Sequence, residues 1–73
     1  MQCTVCGASA INMTPGDFDG LVVSCPHCGD YEVTGTVMNQ FLRMTLTERK
    51  DALENASRQT PKGHKPAITS ASF

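Results

Sequence analysis

The chain has 73 residues, of which 40% are hydrophobic, 5% are aromatic and four are cysteines, and its formal net charge is −1. A chain shorter than about 70–80 residues forms at most one small domain and usually needs a disulfide, a metal or a partner for stability. The length therefore excludes multi-domain enzymes, solenoids, Rossmann folds and barrels, and no stretch approaches the roughly 20 apolar residues of a membrane span.

The first residues predict where the protein resides. They contain no basic region followed by an apolar stretch, so no secretory signal is recognisable. We therefore expect a cytoplasmic protein whose thiols stay reduced.

Four cysteines form two pairs with the spacing of metal ligands. Cys3 and Cys6 form one C-x-x-C pair, Cys25 and Cys28 form the other, and 18 residues separate the pairs. Each pair places two thiolates on one side of a tight turn, and two such turns facing each other complete a tetrahedron around Zn²⁺. The spacing predicts one structural zinc ion held by all four cysteines.

Each pair is followed by a glycine, Gly7 or Gly29, which allows a positive φ and lets backbone amides point at the sulfurs. The two knuckles, C-x-x-C-G and C-P-x-C-G, resemble those of the zinc-ribbon family over residues 1–35. The resemblance implies a small antiparallel β core on a four-cysteine zinc site. Residues 28–36, the helices that follow and the Gly63-x-x-Pro66-x-Ile68-Thr69 element are similar to N-terminal segments of uncharacterised bacterial and phage proteins. This similarity implies a free-standing form of a module that usually precedes another domain.

Three other uses of the cysteines fit the sequence less well. A rubredoxin-like iron site packs its metal under aromatic side chains, and this chain has only four of those. A thioredoxin-type redox motif needs a βαβ context that the length does not accommodate. A disulfide scaffold needs an oxidising compartment, for which the sequence contains no targeting signal.

Between and after the knuckles, the pattern predicts three short strands. Residues 8–13 and 21–24 form a hairpin around turn residues, and a third strand follows the second knuckle. The predicted core side chains are Ile11, Met13, Leu21, Val23, Tyr31 and Val33.

Two amphipathic helices are predicted next. Thr36 is expected to cap the first helix, whose apolar stripe consists of Val37, Met38, Phe41 and Leu42. Thr45 and Glu48 form a capping box for the second, which runs to about residue 58 with a thin apolar side of Leu46, Leu53 and Ala56.

The predicted fold is a small α+β protein in three segments. Residues 1–35 form a zinc ribbon, an antiparallel hairpin or three short strands on a Cys₄ site. Residues 36–59 form the amphipathic helical segment, one or two short helices. Residues 60–73 lack periodicity and form a flexible C-terminal tail.

The sequence indicates a binding role for the chain. It contains no nucleophile with a base and no phosphate-binding loop, and four thiolates leave the metal no open position, so we expect neither catalysis nor a small-molecule substrate. The main hypothesis is a zinc-stabilised module that docks on a cytosolic protein assembly, such as transcription or phage–host machinery. Its candidate contacts are Asp17, Phe18 and Asp19, with Val22 adding apolar surface.

Nucleic-acid binding is the alternative function. Residues 1–42 contain four acidic side chains and no Lys or Arg, whereas residues 43–73 contain six basic and three acidic side chains. Such a basic second half suits an acidic partner. The candidate contacts are Arg49, Lys50, Arg58, Lys62 and Lys65.

Overall fold

The computed structural model describes residues 1–72, which form a four-stranded sheet and two helices. The strands are β1 (Ile11–Asn12), β2 (Gly20–Cys25), β3 (Gly29–Thr34) and β4 (Ala67–Ile68), and the helices are α1 (Gly35–Arg43) and α2 (Leu46–Gln59). A 3₁₀ turn, Ser70–Ser72, follows β4. The sheet order is β1-β2-β3-β4, with β4 parallel to β3 and the other pairs antiparallel.

The β2–β3 hairpin supplies the centre of the core. Val23 is paired with Tyr31, and Leu21 with Val33, so alternation places these four side chains on one face of the sheet. Val23, Tyr31 and Val33 are completely buried and Leu21 is partly buried. The hairpin therefore confirms four of the predicted core positions.

The first strand is shorter and more exposed than predicted. Of the predicted residues 8–13, only Ile11 and Asn12 pair with β2 as a strand. Ile11 is 63% exposed and Met13 is 57% exposed, so their assignment to the core is wrong. The reason is that β1 lies at the edge of the sheet, whereas the helices pack mainly on β2, β3 and β4.

The first helix begins two residues earlier than the predicted cap indicates, at Gly35. Its N-cap is Thr34, whose side chain makes no capping hydrogen bond, so the prediction of a Thr36 cap is wrong. Val37 and Phe41 are buried against the sheet, whereas Leu42 is exposed. The apolar stripe is therefore narrower than the sequence indicated.

The second helix has the predicted capping box. Thr45 accepts a hydrogen bond from the backbone of Glu48, and the Glu48 carboxylate accepts one from the backbone of Thr45. The buried face of α2 starts at Ala52 and continues through Leu53 and Ala56. Leu46, in the first turn, is exposed and does not belong to this face.

A flexible tail was predicted over residues 60–73, and this prediction is wrong for the segment that contains β4 and the 3₁₀ turn. β4 pairs with β3, and Ile68 is completely buried. The Asn55 side chain donates a hydrogen bond to the carbonyl of Ser72, which is also buried. Ile68 fills a position in the core, and burying it favours order in this segment. The last residue of the predicted tail lies outside the described residues.

One core connects all three predicted segments. It contains Cys3 and Cys25 from the knuckles, Phe41 and Leu53 from the helices, and Ile68 from β4. Neither helix within residues 1–72 has the length and apolar character needed to cross a membrane.

Candidate metal centre

Two tight turns carry the four cysteines. In the first, the backbone of Cys3 donates to the carbonyl of Ala8 (2.7 Å) and that of Gly7 donates to the carbonyl of Cys3 (2.9 Å). The second turn connects β2 to β3, because Cys25 is paired with Gly29 at the end of the ladder. A residue with positive φ follows each pair, at Gly7 and Gly29 (both +79°), as the sequence predicted.

The four sulfurs lie together at one end of the sheet. All the Sγ atoms lie within 4.8 Å of one another. Across the two turns, Cys3 Sγ is 3.9 Å from Cys28 Sγ, and Cys6 Sγ is 3.5 Å from Cys25 Sγ. A regular tetrahedron with metal–sulfur bonds of about 2.3 Å has edges of about 3.8 Å. The cluster therefore has the dimensions to hold one metal ion.

Backbone amides point at two of the sulfurs. The N–H of Val5 donates to Cys3 Sγ, and the N–H of Cys28 donates to Cys25 Sγ, each at 3.4 Å. Such hydrogen bonds disperse the negative charge of metal-bound thiolates and orient them. The local conformation of the turns thus supports the thiolate form that a metal requires.

A buried hydroxyl also contacts the cluster. Tyr31 Oη lies 3.2 Å from Cys3 Sγ and 2.8 Å from Thr4 Oγ1. Burial alone would raise the pKa of Cys3, but hydrogen bonds from Tyr31 and from backbone amides outweigh it and lower the pKa to about 6. Burial and the contact with Cys3 raise the pKa of the Tyr31 hydroxyl, which keeps it protonated as a donor.

The four sulfurs differ in exposure. Cys3 and Cys25 are buried, whereas Cys6 and Cys28 are half-buried. Burial and the neighbouring thiols raise the pKa of Cys28, because several thiolates in contact repel one another unless a cation neutralises them. His27, in the second turn, is exposed and does not belong to the cluster.

The predicted partner contacts lie in the loop from β1 to β2. Asp17 and Asp19 are exposed, whereas Phe18 is half-buried and folds back against Gly20. The carbonyl of Asp19 accepts a hydrogen bond from the N–H of Gly35 (2.9 Å), and its carboxylate lies against that glycine at the start of α1. Asp19 therefore has a structural contact as well as an exposed charge.

Val22 does not supply exposed apolar surface. It lies in the middle of β2, paired with Glu32, and is only 4% exposed. The suggestion that Val22 contacts a partner is therefore wrong.

Arg49 is not a free surface cation. Its guanidinium donates to three backbone carbonyls, those of Phe41 (3.1 Å), Leu42 (2.7 Å) and Thr4 (2.9 Å), and it lies 5.6 Å from the centre of the Phe41 ring. Arg49 thus satisfies carbonyls at the end of α1 and fastens the first cysteine turn to the helices. Its assignment to a nucleic-acid surface is corrected, because this arrangement occupies three of the five N–H donors.

The other predicted basic contacts are exposed but lie on different segments. Lys50 and Arg58 line an open groove of about 400 Å³ beside Cys28 and His27. Glu54 lines the same groove, with a carboxylate oxygen 3.9 Å from Arg58. Lys62 and Lys65 lie in the exposed connection from α2 to β4.

Two residues of the site escaped the sequence analysis. Tyr31 was assigned only to the core, although a buried tyrosine hydroxyl usually has a hydrogen-bond partner. Arg49 contacts Thr4, a residue 45 positions away, and no local pattern signals such a contact. Comparison with known protein families, with curated proteins and with solved structures finds no match.

Proposed function

We propose that the chain is a zinc-stabilised, non-catalytic module that docks on another protein in a cytosolic assembly, such as transcription or phage–host machinery.

A tetrahedral set of four thiolates suits either Zn²⁺ or an iron centre. We propose zinc because of the small number of buried aromatic side chains. An aromatic shell would favour the rubredoxin-like alternative. Among the buried hydrophobic side chains of residues 1–72, only Tyr31 and Phe41 are aromatic. Elemental analysis of protein purified without added metal would distinguish the two, with one zinc per chain expected.

The proposed zinc is structural because the four sulfurs fill all four tetrahedral positions. A catalytic zinc keeps one position for water or substrate. When bound, the ion joins the two cysteine turns and contributes to folding free energy, and the function then resides on the surface that this fold presents.

One observation carries the docking proposal: exposed apolar side chains lie on β1 and on the backbone segments next to it. Three of the five large apolar side chains exposed in residues 1–72 are Met1, Ile11 and Met13, which we call the β1 surface. Met1 lies beside β1 because its amino group donates to the carbonyl of Ala10 and its own carbonyl accepts from the Ala10 N–H. Contiguous exposed apolar surface is typical of protein contacts, and we propose that these three side chains form such a surface.

Charge supports a protein partner over nucleic acid for this surface. The first 42 residues have four acidic side chains and no Lys or Arg, and four thiolates around Zn²⁺ would add two further negative charges. The exposed Asp17 follows the β1 surface in the same loop. Phosphates would be repelled here, whereas a partner with apolar and basic side chains would be attracted.

Affinity capture with matched variants tests the docking surface. Ile11→Ser/Met13→Ser removes its apolar character at exposed positions, and Leu42→Ser is the control because Leu42 is 49% exposed on α1. We expect zinc-loaded protein to retain the same captured partner in the control and to lose it in the double variant. Equal capture by both variants would contradict the proposal.

A charge reversal provides a second arm of the same test. Asp17→Lys is preferable to a change at Asp19, because the Asp19 carboxylate contacts Gly35 and a change there would also disturb α1. We expect Asp17→Lys to weaken capture with a smaller effect at high salt, since exposed charges are screened.

Nucleic-acid binding remains the alternative proposal, favoured by the groove that Lys50 and Arg58 line beside the second cysteine turn. The test is a titration of zinc-loaded protein with duplex DNA and single-stranded RNA at increasing salt. Phosphate contacts would produce a steep fall in affinity with salt, and Lys62→Glu/Lys65→Glu would weaken binding. No binding at low salt would exclude this function.

A further inference from the structure

A chain of hydrogen bonds runs from the first cysteine turn into the core. Tyr31 Oη contacts both Cys3 Sγ (3.2 Å) and Thr4 Oγ1 (2.8 Å). On the same residue, the Thr4 carbonyl accepts a hydrogen bond from Arg49 (2.9 Å). Thr4 is thus held from two sides, by a tyrosine of β3 and by an arginine of α2.

The direction of these hydrogen bonds follows from the metal-bound state. A metal-bound thiolate has no proton, so Cys3 Sγ can only accept, and Tyr31 must donate its single proton to it. Thr4 must then donate its hydroxyl proton to Tyr31 Oη. Thr4, Tyr31 and Cys3 therefore form one oriented chain that ends on a metal ligand.

We infer that Tyr31 is a positioning residue of the metal centre and that Arg49 acts through it by holding Thr4 in place. The inference rests on the proposed binding of zinc. Tyr31 is completely buried and Cys3 is 3% exposed, so water does not replace this hydrogen bond, and an unsolvated thiolate gains most from a donor. Partners of this kind orient the ligands of a metal site, and removing one typically lowers metal affinity about 10- to 100-fold.

The guanidinium of Arg49 is needed for its geometry as well as its charge. Its three nitrogens reach carbonyls of Thr4, Phe41 and Leu42, which connects the first cysteine turn to the end of α1. A lysine retains the charge but has one nitrogen in place of this planar fork. Arg49→Lys should therefore release the Thr4 carbonyl and weaken metal binding while the overall charge is unchanged.

The test compares Tyr31→Phe with Ser72→Ala in the full chain. Both substitutions remove a buried hydroxyl, but that of Ser72 accepts from the Thr69 N–H at the far end of the chain. Zn²⁺ affinity is measured by competition with a chromophoric chelator. We expect the dissociation constant to rise at least about 10-fold for Tyr31→Phe and to stay within about twofold for Ser72→Ala.

Spectroscopy of the Co²⁺-loaded protein separates positioning from general stability. A hydrogen bond lowers the energy of the thiolate electrons, so its loss should move the sulfur-to-cobalt charge-transfer band to longer wavelength in Tyr31→Phe. Ser72→Ala should leave the band in place even if it destabilises the fold. For Arg49→Lys the control is Arg43→Lys, an exposed position in the last turn of α1 where the same change also keeps the charge.

The outcomes distinguish this inference from the proposed function. Wild-type protein that binds neither Zn²⁺ nor Co²⁺ would overturn both. Stoichiometric binding by the wild type, with an unchanged dissociation constant and an unmoved band in Tyr31→Phe, would overturn the inference alone. Equal losses of affinity in Tyr31→Phe and Ser72→Ala with no band shift would also overturn it, because the effect would then be one of stability.

Discussion

Replacing Ile68 with alanine is the most direct test of the C-terminal segment. Ile68 lies in β4 and is 0% exposed within the core. Truncating a buried isoleucine removes its apolar burial and leaves a cavity, which together cost about 2–5 kcal/mol. At about 0.05–0.15 kcal/mol per residue, a chain of 73 residues has a total stability of about 4–11 kcal/mol. The substitution should therefore remove a large part of the free energy of unfolding.

Ile11→Ala is the matched control. Both isoleucines lie in two-residue strands at opposite edges of the same sheet, but Ile11 is 63% exposed. An exposed substitution of this kind changes stability by no more than about 0.5 kcal/mol. Comparing the stability changes of the two variants thus measures the effect of burial, because the residue type and the edge-strand position are the same in both.

Urea unfolding at a fixed excess of free Zn²⁺ measures the free energy of unfolding of both variants. A constant concentration of free metal keeps the contribution of metal binding to stability the same in each. For a slope of about 1.5 kcal/mol/M, the midpoint should fall by about 1–3 M in Ile68→Ala and barely move in Ile11→Ala. Equal midpoints for the wild type and Ile68→Ala would refute the argument, since a flexible tail is what the sequence alone predicted.

Four further predictions concern local geometry and the metal. In Gly20→Ala the new Cβ would clash with the carbonyl oxygen of Val33, at a φ of +147°, so thermal unfolding should show a loss of at least about 1–3 kcal/mol. Gly16→Ala, where the space is open, should differ little from the wild type. Thr45→Ala removes the N-cap of α2 and should cost about 1 kcal/mol in urea unfolding, and the exposed Thr47→Ala should cost less. Removing the metal with a chelator should abolish most of the far-ultraviolet circular dichroism signal, because zinc binding contributes about 10–16 kcal/mol in small zinc peptides; an unchanged spectrum would show that the fold does not need the metal. Acidification should have the same effect, since protons compete for the thiolates.

Features that depend on neighbours in sequence could be predicted without the structure. The C-x-x-C turns and their positive-φ glycines are local, as is the capping box of Thr45 and Glu48. The alternation of Val23, Tyr31 and Val33 also needs no distant information, because a strand places every second side chain on one face.

The tertiary structure decided the features in which residues far apart in sequence meet. Ile68 is buried because β4 pairs with β3, some 35 positions earlier, and its segment has turn residues that by themselves indicate a flexible tail. Ile11 is exposed because β1 lies at an edge away from the helices, although its apolar character alone predicted burial. Arginine is a residue type usually found at the surface, but Arg49 connects two parts of the fold. Its carbonyl partners come from the first cysteine turn and from the end of α1. Local patterns specify backbone conformation and the donor set for a metal, whereas burial depends on which elements come to lie against each other.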